Sequence, residues 1–63
     1  MTTAKPRSYT PGEVATLFAV DVRSVRRWAV EGKLSFFRTP GGARRYYADE
    51  IDRMIENGEN PNG

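Results

Sequence analysis

The sequence predicts a small α+β domain with two short helices, a two-stranded hairpin and one closing helix. Three observations carry that prediction. Apolar residues recur at helical spacing over residues 14–18 and 22–29, too briefly for long helices and with too little alternation for strands. Two segments rich in aromatic residues, 34–38 and 43–47, flank Thr39-Pro40-Gly41-Gly42, where Pro sets φ and Gly reaches positive φ without steric cost. Near the C-terminus Ile51, Met54 and Ile55 resume a helical period within an acidic segment.

Taken in order, residues 1–9 hold Pro6 and small polar residues with no periodic apolar pattern, which reads as a flexible arm. Order begins at Thr10-Pro11-Gly12-Glu13: a hydroxyl at the N-cap, Pro at the first helical position and Glu at the third form a capping box. Val14, Ala15, Leu17 and Phe18 make the apolar face of that first helix. After the tight connection Ala19-Val20, Asp21 caps a second helix expected from Val22 to Glu31, with Gly32 as its left-handed stop. Two short helices so joined form a helix-turn-helix. The hairpin is then a wing, and a last helix from Ala48 to Asn57 is closed by Gly58. The expected organisation is an arm over 1–9, a winged helix-turn-helix over 10–57 and a flexible tail over 58–63.

Sixty-three residues make one thin-cored domain, since a chain of this size buries only about 60% of its unfolded surface. With no Cys and no His, disulfides, thiolate nucleophiles, imidazole bases and nearly all zinc sites drop out, so neither cofactor nor metal is expected and the chain does not read as an enzyme. No apolar stretch approaches the roughly 18 residues of a membrane span, and a cytoplasmic, nucleoid-associated location is expected. The net charge of +2 conceals a strong asymmetry. Residues 23–45 carry Arg23, Arg26, Arg27, Lys33, Arg38, Arg44 and Arg45 against Glu31 alone, a net +6, whereas from Tyr46 onward the net is −4. The middle of the chain is built to face a polyanion.

On the second helix Val22, Val25, Trp28 and Ala29 fall on one side and Arg23 and Arg27 on the other, with Arg26 at the flank. An Arg fork matches guanine O6 and N7 in the major groove of double-stranded DNA. Arg23 is therefore the first candidate for a base edge and Arg27 a candidate for a base edge or a phosphate, although Glu31 stands one turn beyond Arg27 as an ion-pair partner. Arg26 and Ser24 are candidates for the flanking phosphates. On the wing Arg44 and Arg45 point to opposite faces, so one of them aims at nucleic acid while both reach phosphate. Gly41 and Gly42 make the turn first and also let the wing tip approach a groove, and Lys33 and Arg38 either extend the positive surface or serve as ordinary solubilising charges. Trp28, Phe18, Phe37 and Leu34 are expected in the core, with Phe36 or Phe37 left exposed by alternation. Asp49, Glu50 and Asp52 suit the positive N-terminus of the last helix.

The segment from Tyr9 to Ile55 resembles the MerR-like winged-helix family, which includes phage excisionases and small developmental regulators. The likeness rests on Tyr9-Thr10-Pro11-Gly12-Glu13-Val14-Ala15, on Val20-Asp21 through Val25-Arg26-Arg27-Trp28-Ala29, on Gly32-Lys33-Leu34, and on Arg38-Thr39-Pro40-Gly41-Gly42-Ala43-Arg44-Arg45-Tyr46. It implies a second helix in the major groove and a hairpin on the backbone or minor groove, carried onto Arg23, Arg27, Arg44, Arg45 and Tyr46. The function expected on that resemblance is an excisionase, a DNA-bending recombination directionality factor that assists a phage integrase, with copies bound cooperatively side by side. A small MerR-like transcriptional regulator on direct repeats is the alternative. A protein adaptor acting through Phe36 and the acidic helix leaves seven basic residues unexplained.

Overall fold

The computed structural model describes residues 7–61; the expectations for residues 1–6 and 62–63 lie outside the described residues. The element order is β1 (Ser8–Tyr9), α1 (Pro11–Phe18), α2 (Val22–Val30), β2 (Phe36–Arg38), β3 (Arg44–Tyr47) and α3 (Ala48–Glu56). The capping box forms as its residues dictate. Glu13 N–H donates to Thr10 Oγ1 at 3.1 Å, and Thr10 N–H donates to Glu13 Oε1 at 2.8 Å. Asp21 caps α2 by accepting from Arg23 N–H at 2.9 Å.

All three helices end in the same way, on a left-handed residue whose amide and the next reach back to free carbonyls. After α2, Gly32 lies at φ 82 and Lys33 N–H donates to Trp28 O at 2.8 Å. After α3, Gly58 lies at φ 70 and Glu59 N–H donates to Met54 O at 2.8 Å. After α1 the left-handed residue is Ala19, with Val20 N–H donating to Ala15 O at 2.9 Å. Both α2 and α3 stop one residue earlier than expected, because Glu31 and Asn57 are the caps rather than the last helical residues. The expected tail, in turn, is tied to α3 as far as Glu59.

The sheet has three antiparallel strands in the order β1-β3-β2, one more than the expected hairpin. Ser8 and Tyr9, expected in the arm, pair with Tyr47 and Tyr46. A two-residue strand carries too little alternation to register in sequence, and β3 supplies the partner edge that selects it. The wing turn combines a Gly42 N–H to Thr39 O bond of 2.8 Å with a positive φ only at Gly42. This is a type I turn over Pro40-Gly41 followed by a left-handed glycine.

The core gathers Val14 and Ala15 of α1, Val25, Trp28 and Ala29 of α2, Leu34, Tyr46 of β3 and Ile51 of α3. Phe18 meets Trp28 edge to face at 5.7 Å. Leu17, Val22 and Ile55, expected to face inward, are 45%, 40% and 40% exposed. Helices of eight or nine residues on so small a core bury only the middle of their apolar stripe. Phe37, also expected in the core, is half-buried on the opposite sheet face beside Tyr47, with ring centroids 5.1 Å apart. Phe36 takes the inner place against Tyr46, at 5.9 Å.

Candidate nucleic-acid interface

Burial of Val25, Trp28 and Ala29 fixes how α2 is rotated, and the opposite face carries Arg23, Arg26, Arg27 and Val30, all exposed. Ser24 lies at the edge of that face, half-buried. Among the described residues no acidic side chain pairs with Arg23, Arg26, Arg27 or Arg38. Glu31, the one acid within the basic segment, lies 3.4 Å from Lys33 Nζ rather than on Arg27.

The wing resolves which of its two arginines faces α2. Register pairs Arg38 with Arg44 and Phe36 with Tyr46, so these four side chains share the inner face of the sheet. Toward the turn that face emerges from the core, and there Arg38 and Arg44 line a groove of about 460 Å³ with Arg26, Val30, Gly42 and Ala43. Two arginines directly across a strand pair repel one another and cost folding stability. The cost is sensible where an anion is to be held between them. The Arg44 guanidinium is oriented by lying 4.8 Å from the Phe36 ring centroid, a cation–π contact that leaves its N–H groups available.

Three other expected contacts lie outside this groove. Arg45 points to the outer sheet face, where its Nε donates to Ser8 Oγ at 3.0 Å. Lys33 stands outside the groove. Tyr46 is wholly buried and reaches no ligand; the ladder alternation that sends Arg44 toward α2 also sends Tyr46 into the core. Its hydroxyl and Trp28 Nε1 have no hydrogen-bond partner among the described residues. At the wing tip Gly42 lines the groove and Gly41 supports the turn. Val30 lines the groove as well, and the sequence signal for that is its spacing, four residues after Arg26 and seven after Arg23.

Two acids of α3 are engaged with the rest of the fold. Asp52 accepts from Tyr9 Oη at 2.6 Å and lies 3.5 Å from Arg7, and Glu50 accepts from Ser35 N–H at 2.8 Å. The Tyr9 phenol is raised above its ordinary value, because it donates to the Asp52 carboxylate, with burial and the Asp52 charge acting the same way. The N-terminus of α3 takes a tertiary partner as well, with Ala48 N–H donating to Arg7 O at 3.0 Å. Negative charge at Glu50 and Asp52 thus ties the Ser35 loop and β1 to α3, while among the described residues no acid pairs with the arginines of α2 or the wing.

A helix pair whose second member shows a cationic face, backed by a sheet whose hairpin adds arginines beside it, defines a winged helix-turn-helix DNA-binding domain. Residues 8–59 match the family described as a helix-turn-helix domain, and the chain belongs to that family. Such membership implies DNA binding. No curated protein matches the chain. No helix among the described residues is long and apolar enough to cross a membrane.

Proposed function

We propose that the protein is a sequence-specific, DNA-bending excisionase, a recombination directionality factor that assists a phage integrase. The observation that carries the DNA-binding part is the groove in which Arg26 of α2 meets Arg38 and Arg44 of the wing. An α-helix fits the major groove, and from there Arg23 and Arg27 reach base edges while Arg26, Arg38 and Arg44 hold the adjoining phosphates. Grips on two parts of one duplex favour a bent path, with a deformation cost on the order of a few kcal/mol per site that copies bound side by side share. The integrase role rests on the resemblance of Tyr9 to Ile55 to the MerR-like excisionases. Phe36, the residue on which an adaptor would depend, packs against the core beneath Arg44.

The test is a gel-shift and bending titration on attachment-site DNA from the protein's own genomic neighbourhood, with a neighbouring promoter as competitor. Stepwise binding with bending at the attachment site is expected. Preference for the promoter selects the MerR-like transcriptional regulator instead, and absence of specific binding to either returns the adaptor.

A further inference from the structure

Val30 is the one strongly apolar side chain on the outward face of α2, and at 77% exposed it is the most open of the large hydrophobic residues described. It shares a helix face with Arg26 and Arg23 and lines the same groove as Arg26, Arg38 and Arg44. The fold does not call for a valine here. The core is filled from α2 by Val25, Trp28 and Ala29, and a β-branched residue holds an exposed helical turn less well than alanine, lysine or arginine.

Single apolar residues on a protein surface are ordinary; the setting distinguishes this one. Any duplex drawn in by the surrounding arginines brings phosphates and polar base edges, against which an isopropyl group gains nothing. The major-groove edge offers a single kind of apolar group, the C5-methyl of thymine. We propose that Val30 contacts a thymine methyl in the bound site and is a specificity-determining residue beside Arg23 and Arg27. This inference rests on the DNA-binding reading above.

The experiment begins by selecting bound duplexes from a random library with the full chain. Each thymine of an enriched duplex is then replaced in turn by deoxyuridine, which removes only the methyl. At one position per bound unit the replacement is expected to weaken binding about fourfold, the worth of one buried methyl. Val30→Ala is expected to bind both duplexes equally at that position, and Val30→Ile to keep the preference, which separates a methyl contact from a general effect on the helix. Enrichment without any methyl-sensitive thymine overturns the inference alone, as does a Val30→Ala variant that keeps the fourfold difference. A library that yields no enriched sequence overturns the sequence-specific reading and the inference with it.

Discussion

Ala19 lies at φ 58 and ψ 45, where an L-residue crowds its Cβ against the following carbonyl oxygen. The other two helices put glycine at this point, so α1 closes with a strain that they avoid. Ala19→Gly is expected to stabilise the domain by about 1 kcal/mol, read as a rise of roughly 4–8 °C in Tm for a domain this small. Tyr9 gives a residue-level dependence on pH. Its folded value lies above the unfolded 10.0, so its stabilising contribution is full below pH 10 and disappears as pH rises through the raised folded value. Urea midpoints of the native protein and Tyr9→Phe between pH 8 and 11 should show the native protein losing more stability over the alkaline part of that range. Parallel curves would mean that the bond to Asp52 contributes nothing.

The elements differ in what holds them. Helices α1 and α2 carry their own side-chain caps and, at eight and nine residues, take the rest of their stability and their rotation from the core. Helix α3 has Tyr47 at its N-cap with no side-chain cap bond, and takes its first-turn partner from Arg7 in a segment more than forty residues away in sequence. The wing depends on its turn, and the two glycines there are unequal. Gly42 sits at φ 88, whereas a Cβ on Gly41 would meet only Thr39 Oγ1 at 3.9 Å. Gly42→Ala is therefore expected to cost about 1 kcal/mol in chemical denaturation, and Gly41→Ala to be neutral or slightly stabilising. Equal costs would place the strain elsewhere in the turn.

At the scale of the whole molecule, charge is sorted by use: acids tie α3 to β1 and the Ser35 loop, and arginines with no acidic partner among the described residues cover α2 and the inner edge of the wing. Binding to duplex DNA should then be strongly dependent on salt. Arg44→Ala is expected to lower the slope of log K against log salt by about 1, on specific and random duplexes alike. Arg45→Ala, on the outer sheet face, should lower it less. Arg23→Ala is expected instead to narrow the gap between specific and random DNA by about 1–3 kcal/mol. Titrations of the three variants on both duplexes at several salt concentrations check all of this, and an Arg45→Ala slope change as large as that of Arg44→Ala would contradict the wing orientation.

Sequence by itself determined the two short helices, their caps at Thr10 and Asp21, the wing, the closing helix and the basic middle of the chain. These are local matters, settled by capping chemistry, turn residues, helical spacing and charge within a few neighbours. Tertiary structure decided the rest. The strand at Ser8 and Tyr9 exists because β3 offers it an edge. Ladder register, which two adjacent arginines cannot reveal, sends Arg44 toward α2, Arg45 away from it and Tyr46 into the core. Val30 gains its setting only when the wing folds beside α2. Each depends on a partner distant in the chain, and spacing along one element carries no record of which face that partner will cover.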